Sequence, residues 1–437
     1  MVVIVGMARS GVAAARLLHQ RGIPVFVTDS GDSPLRRELD ELGIPNETGG
    51  HTQARFLEAD EIVMSPGVPL DIPPLVPARQ KGIPIVSEIE VAFRMIQGDV
   101  VAVTGSNGKT TTTTLIGEVL SATGRPIQVG GNIGTAMSAL VETSNSKTIN
   151  VVEVSSFQLD GIQVFRPNVA VLLNITPDHL DRYADFNAYR ASKFRIFENQ
   201  LPSDVAVMNL DDPQVYPPPG QIHSRQSFFS QNQVVTDGGY RTDGNLYLDG
   251  HSVMKVGDVA LRGRHNIDNV LAAMVVAGRF GVSRDAMKSR IQNFRGVEHR
   301  IEYVATIRGI DFFNDSKATN VDSAIKAVES FSSNIIIILG GKDKGASYAP
   351  LVDAMAERVK HVLLIGAASE TIAAAIGKRL PASRVSSLAE AVRCGLEIGK
   401  SGDTVLLSPA CASFDMFDNY EHRGKVFKEA VLACQRN

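Results

Sequence analysis

The apolar run Val100–Val103 leads directly into Thr104-Gly105-Ser106-Asn107-Gly108-Lys109-Thr110-Thr111. An apolar strand, a glycine turn and a Lys-Thr pair opening a helix together make a phosphate cradle. In such a loop backbone N–H groups surround phosphate oxygens, Lys109 supplies a point charge, and the Thr110 hydroxyl reaches a magnesium ion. Val103 stands where the longer Walker pattern carries glycine, so the loop is a shortened variant. The spacing predicts a nucleoside triphosphate site.

Four other stretches carry polar residues beside apolar runs. Glu153 closes one run ahead of Val154-Ser155-Ser156-Phe157-Gln158. A carboxylate at the C-terminal end of a strand sits where α/β sheets place ligands, and it could hold Mg²⁺. Asn174-Ile175-Thr176-Pro177-Asp178-His179-Leu180-Asp181 groups two acids and a histidine, which together suggest a second metal or substrate site. Taken singly, Asp178 and Asp181 read as helix caps and His179 as structural. Tyr189–Phe197 reads as a basic amphipathic helix, with Lys193 on a solvated face. At the N-terminus, Val2–Val5 runs into Gly6-Met7-Ala8-Arg9-Ser10-Gly11, and a second strand ends at Asp29. That pattern fits either a nucleotide-binding glycine loop or a tight strand-to-helix turn; Ala8 in place of the middle glycine argues against NAD.

These residues need a scaffold, and the composition says which kind. A chain of 437 residues suggests three domains, and 44% hydrophobic with 21% charged residues is ordinary for globular proteins. The net charge of −3 gives no reason to expect a general nucleic-acid binder. Three cysteines without CxxC spacing argue against a disulfide framework or a zinc site and for a reducing compartment. The longest apolar runs fall far short of the ~20 residues of a membrane-spanning helix. Val2–Val5 ends at Gly6 and reads as a buried strand, not a signal peptide. A cytoplasmic protein without membrane or nucleic-acid partners is expected, acting as a monomer.

Short β-branched runs alternate with helix-length amphipathic segments at Val2–Val5, Val25–Val27, Ile62–Met64, Val100–Val103, Asn150–Val154, Val169–Leu173, Ile335–Leu339, Val362–Ile365 and Thr404–Leu407. Continuous apolar strands of this kind imply parallel sheets covered by helices on both faces. Between Pro217 and Gly250 the chain turns polar, and Asp237-Gly238, Asp243-Gly244 and Asp249-Gly250 predict hairpins appended to the α/β core. Boundaries near Arg94–Gly98 and Gly296–His299 give domains 1–92, 93–295 and 296–437.

The assembled motifs resemble the Mur ligase family of ATP-dependent amide-bond ligases. They comprise TGSNGKTT (104–111), GGNIG (130–134), EVSSFQL (153–159), NITPDHLDRY (174–183), YRASKFRIFEN (189–199), GRHNIDN (263–269), HRIE (299–302), NDSKATN (314–320), LGGKDKG (339–345), SPACASFDMF (408–417) and EHRG (421–424). The resemblance implies three domains: a Rossmann-like UDP-substrate domain, a P-loop ATPase-like central domain and a Rossmann-like C-terminal domain. NDSKATN and SPACASFDMF point to the branch that adds D-glutamate to UDP-N-acetylmuramoyl-L-alanine through an acyl phosphate.

Carried over position by position, the resemblance gives Gly105, Ser106, Asn107, Gly108, Lys109, Thr110, Thr111, Asn266, Arg300 and Asp315 to ATP. Two Mg²⁺ ions are implied, held by Thr110, Glu153, His179 and a Lys193 carbamylated by CO₂. Arg9, Ser10, Asp29, Ser65, Pro66, Gly67 and Asn132 match the UDP-substrate cradle, and Lys317, Thr319, Lys344, Ser413 and Tyr420 the D-glutamate pocket. Tyr420 stands where phenylalanine is expected. Rival expectations are a sister ligase adding another amino acid to a UDP-muramoyl substrate or glutamate to folate, an NAD-dependent dehydrogenase, and a binding protein whose domains ATP merely switches.

Overall fold

The computed structural model describes residues 1–69, 71–177, 182–261, 263–343, 345 and 347–435. It contains three sheets. The first is built from β1 (Val2–Val5), β2 (Val25–Thr28), β3 (Asn46–Glu47), β4 (Glu61–Met64) and β5 (Ile85–Ser87). The second is built from β6 (Asp99–Thr104), β7 (Ile127–Gly131), β8 (Ile149–Glu153), β9 (Val169–Leu172), β10 (Val205–Asn209), β11 (Arg225–Ser230), β12 (Gly238–Thr242), β13 (Asn245–Leu248) and β14 (His251–Lys255). The third is built from β15 (Glu302–Ile307), β16 (Ile310–Asn314), β17 (Ile335–Gly340), β18 (Val359–Ile365), β19 (Ala382–Arg384) and β20 (Thr404–Leu407). All nine apolar runs picked out in the sequence are strands. The chain divides into two compact units, residues 1–259 with 265–293, and residues 260–264 with 294–437. The first unit holds the first two sheets and the second unit the third.

The first sheet is wholly parallel in the order β3-β2-β1-β4-β5. Strand order therefore reverses between β1 and β4, and open α/β sheets bind ligands at the carboxyl ends of the strands flanking such a switch. The loops leaving those ends are Gly6–Gly11 and Ser65–Gly67. The second sheet runs β14-β13-β12-β11-β10-β9-β6-β8-β7, parallel from β7 through β12 and closed by two antiparallel pairs. Here β6 lies between β8 and β9, so the phosphate loop, Glu153 and Asn174 emerge side by side. In the third sheet, β15-β16-β20-β17-β18-β19, only the β15–β16 pair is antiparallel.

The central strands are apolar on both faces because helices cover both faces. Val101, Ala102 and Val103 on β6 and every residue of Ile335–Leu339 on β17 are fully buried. Each such branched side chain contributes about 1.5–3 kcal/mol on removal from water. Two of the three Asp-Gly pairs make the expected hairpin turns: Asp243 and Gly244 join β12 to β13, and Asp249 and Gly250 join β13 to β14, all with positive φ. Asp237-Gly238 does not turn. Gly238 opens β12 in parallel pairing with β11, while the Asp237 carboxylate receives Arg225, Arg279 and the Ser227 hydroxyl. No described helix is long and apolar enough to cross a membrane.

Within the first unit, the two sheets are joined through a buried acid. Glu90, on helix Glu88–Phe93, is fully buried and accepts from the backbone N–H groups of Gln163 (2.9 Å), Val164 (3.1 Å) and Phe165 (2.9 Å). Arg94 donates to it at 3.0 Å and also to Glu61 at the start of β4. Replacing Glu90 with Ala orphans three backbone donors, of which that of Phe165 is buried, together with one part-exposed arginine, and should cost about 2–3 kcal/mol. Urea unfolding followed by far-UV circular dichroism, suited to a chain with no tryptophan, checks this. A loss below about 1 kcal/mol would mean that the joint is not structural.

Candidate active site

The phosphate loop is held open by its neighbours. Gly108 caps helix Lys109–Leu120 at φ 84°, and a Cβ there would stand 2.4 Å from Asn269 Oδ1. Asn174, just beyond β9, clasps the loop: its Oδ1 accepts from Asn107 N–H at 2.8 Å and its Nδ2 donates to Asn107 O at 3.0 Å. Ser106 Oγ donates to Thr176 O, so the Tyr189 hydroxyl 2.9 Å away donates to Ser106. In the first turn of the helix, Thr111 is buried and Thr112 Oγ1 donates to Asn269, whose Nδ2 donates to Asn266 Oδ1 at 2.8 Å. Asn266 therefore reaches the same helix through one intermediary.

Two lysines converge on this loop. Lys109 Nζ donates to the carbonyls of Gly105 (2.8 Å) and Ser106 (2.9 Å), and Lys193 Nζ donates to the same Gly105 oxygen at 2.9 Å. Lys193 is 1% exposed and lies 4.6 Å from the centre of the Tyr189 ring. The sequence pattern put it on a solvated face. Helix Phe186–Phe194 instead packs against the loop, turning Tyr189, Ser192 and Lys193 inward.

Glu153 ends β8 between two partners. Thr110 Oγ1 donates to its Oε2 at 2.7 Å, while Asn132 donates through Nδ2 to Oε1 at 3.2 Å and through its backbone N–H to the Glu153 carbonyl at 2.8 Å. Asn132 also lines a cleft of about 180 Å³ together with Arg9, Ser10, Ser65, Pro66 and Gly67. The cleft lies at the switch point of the first sheet, closed on its far side by the Gly131–Ala136 loop. Arg9 reaches across to Gly134 O at 3.3 Å. Close approach explains Gly11, where a Cβ would lie 1.9 Å from Gly6 O. Asp29 is not part of the cleft lining; its carboxylate accepts from Met7 N–H at 2.6 Å and Gly31 N–H at 2.9 Å, fixing the glycine loop to the end of β2.

Sequence reasoning passed over Gln158, which lies beside Glu153. Ser155 and Gln158 form a capping box, a signal legible as S-x-x-Q, and Gln158 Oε1 is spent on Ser155. Its Nε2 is buried with no hydrogen-bond partner among the described residues. Asn174, Tyr189 and Asn269 were also not singled out. Their type alone carries no signal, because it is the topology that brings them to the loop.

In the second unit, three loops leave the adjacent carboxyl ends of β16, β20 and β17. Asp315, just past β16, is buried; Ser408 Oγ donates to it at 2.8 Å and Ile301 N–H at 3.2 Å. Burial pushes its carboxyl up to about 7, against the pull of Ser408, Arg300 and Ile301. Arg300 stands half-buried between His299 and Ile301, both at positive φ. Lys317 N–H donates to His299 O at 3.0 Å, and Lys317 Nζ lies 5.9 Å from the centre of the Tyr420 ring. Thr319 N–H donates back to Lys317 O, and Ser413 is buried on the loop after β20. His179, with Asp178 and Asp181, and Lys344 lie outside the described residues.

Residues 1–87 match the Mur ligase MurD-like N-terminal domain, 103–277 the Mur ligase middle domain and 299–411 the Mur ligase glutamate ligase domain. The chain is 46% identical over 438 residues to the UDP-N-acetylmuramoylalanine--D-glutamate ligase of Koribacter versatilis, covering 98% of this chain and 96% of that one. The chain belongs to the Mur ligase family. This Mur ligase is also 46% identical over 445 residues to the protein of the same name from Acidobacterium capsulatum, covering 99% and 96%. In fold it is similar to MurC of Thermotoga maritima, with a TM-score of 0.63 at 20% identity over 99% of both chains. The T. maritima MurF ligase in complex with ADP gives 0.61 at 16% identity, covering 94% and 95%.

The position of Asp315 makes stability depend on pH. Its carboxyl titrates higher folded than unfolded, so the folded state keeps a proton that the unfolded chain loses above about pH 4. The group therefore becomes a growing liability as pH rises to about 7, and a constant one above that. Asp315→Asn carries no such charge. Its stability relative to the parent should rise from pH 5 to pH 7 and level off by pH 8 in urea unfolding; a flat or falling difference would contradict a carboxylate whose burial outweighs its partners.

Proposed function

We propose that this Mur ligase joins the amine of D-glutamate to the alanyl carboxylate of UDP-N-acetylmuramoyl-L-alanine. ATP is converted to ADP and phosphate, in peptidoglycan precursor synthesis. The observation that carries this reading is Glu153 standing between Thr110 of the phosphate loop and Asn132 of the cleft. A nucleotide loop and an acceptor cleft that share one carboxylate suit a transfer of phosphoryl to an acceptor. The relatives' names supply the identity of the two substrates.

Gly105–Thr111, with Lys109 as the point charge, bind the ATP phosphates, and Asn266, Arg300 and Asp315 are assigned to the same nucleotide. The cleft residues Arg9, Ser10, Ser65, Pro66, Gly67 and Asn132 hold the UDP substrate, with Asp29 fixing their loop. Thr110 and Glu153 offer oxygens 2.7 Å apart, a hard donor pair of the type Mg²⁺ takes. Bound there, Mg²⁺ supplies neutralising charge to the phosphates. A second ion is assigned to His179 and a carbamylated Lys193. Two ammonium groups on one carbonyl oxygen repel, and a carbamate on Lys193 turns that repulsion into attraction toward Lys109.

The substrate carboxylate oxygen attacks the γ-phosphorus as the bond to the ADP oxygen breaks, giving an acyl phosphate. Lys109 offsets charge repulsion between the two reacting anions. The D-glutamate amine, having lost a proton, then attacks the acyl carbon, and phosphate departs with the oxygen that came from the carboxylate. Lys317 and Lys344 pair with the two carboxylates of D-glutamate, and Thr319, Ser413 and Tyr420 complete its pocket.

Phosphate release should require both UDP-N-acetylmuramoyl-L-alanine and D-glutamate, with L-glutamate and D-aspartate inactive. Release supported by another amino acid would change the acceptor, and release independent of any acceptor would end the ligase assignment. Lys193→Ala should lower turnover at least about 100-fold, with partial recovery on adding formate or acetate. Full unaided activity of that variant would exclude the carbamate.

A further inference from the structure

Among the described residues Arg423 is the largest fully buried side chain, yet no carboxylate pairs with it there. It sits one helical turn after Tyr420 on helix Tyr420–Gln435. Its guanidinium spends its donors on two loops. Nε donates to Ser316 Oγ at 2.9 Å and Nη2 to Ser316 O at 2.8 Å, while Nη1 donates to Cys411 O at 3.1 Å and Ala412 O at 3.4 Å. Ser316 Oγ in turn donates to Tyr420 O at 2.8 Å.

The residues it grips are next in sequence to the pocket. Ser316 precedes Lys317, Ala412 precedes Ser413, and Tyr420 is tied through Ser316. Asp315, by contrast, is fixed independently by Ser408 Oγ, Ile301 N–H and its own N–H to Leu407 O at 2.7 Å. We propose that Arg423 is a positioning residue for the amino-acid substrate, clamping the loops after β16 and β20 so that Lys317, Ser413 and Tyr420 face one dicarboxylate. This rests on the function proposed above.

A planar fork can bond both loops at once, whereas a lysine ammonium in its place is a point charge that cannot span them. Burial lowers the Arg423 guanidinium to about 10, so it is still a cation at neutral pH. Its charge faces main-chain carbonyls, with Asp315 and Asp415 as the acids felt at longer range. A buried cation left without an ion pair also favours binding an anion nearby.

The test is steady-state phosphate release by the full chain, with KM measured separately for D-glutamate, ATP and the UDP substrate. Arg423→Lys should raise KM for D-glutamate by about tenfold or more while the other two KM values stay within about twofold. Ser316→Ala, which removes one clamp bond, should raise the same KM about two- to fivefold and covers the case in which Arg423→Lys does not fold. Three KM values rising together, or a D-glutamate KM unchanged in both folded variants, would overturn the clamp and leave the ligase assignment standing. A parent enzyme whose phosphate release ignores D-glutamate would overturn both.

Discussion

The hydrogen bond from Thr110 to Glu153 is the point on which the first unit turns. It exists because β6 pairs directly with β8, so the loop leaving one strand and the last residue of the other share an edge. Neither residue has freedom to drift: Thr110 is held in the first turn of a helix whose cap needs a left-handed glycine, and Glu153 closes a fully buried strand. Asn132 reaches the same carboxylate from β7 on the far side of β8. One acid thus registers the phosphate loop against the cleft lined by Arg9, Ser10 and Ser65. The Glu90 joint keeps the first sheet, which carries the other wall of that cleft, in place.

The second unit solves a different problem with the same geometry. Parallel neighbours β16, β20 and β17 deliver three loops to one edge, and the loops must be fixed without filling the space between them. A buried acid and a buried arginine share that task. Asp315 is bonded by a hydroxyl and a backbone N–H and is costly to ionise, whereas Arg423 is satisfied by three carbonyl oxygens and the Ser316 hydroxyl. The Tyr348 hydroxyl adds a third tie, 3.0 Å from Asp343 on the loop after β17 and 3.1 Å from Cys411 Sγ on the loop after β20.

Much of the fold is legible in the sequence because its central strands are uninterrupted apolar runs, a pattern that only a doubly covered parallel sheet requires. Short edge strands such as Asn46–Glu47 and Ala382–Arg384 carry no such pattern and were not foreseen. Asp243-Gly244 and Asp249-Gly250 turned as their chemistry dictates, but Asp237-Gly238 did not, because tertiary ion pairs with Arg225 and Arg279 claimed its aspartate. The phosphate loop is readable from its own spacing. Lys193 is not: helical periodicity alone cannot tell a solvated face from one packed against another polar loop, and only the burial beside Gly105 reveals it. Gln158 and Arg423 were invisible as site residues for the same reason, since what distinguishes them is where their partners come from.

The central claim is that the acceptor carboxylate takes the phosphoryl group before the amide forms. Turnover of UDP-N-acetylmuramoyl-L-alanine carrying oxygen-18 in its alanyl carboxylate, with D-glutamate and ATP, tests it directly by mass analysis of the released phosphate. The account predicts transfer of one labelled oxygen from carboxylate to phosphate for each amide made. Phosphate free of that label, its fourth oxygen drawn from water, would contradict it.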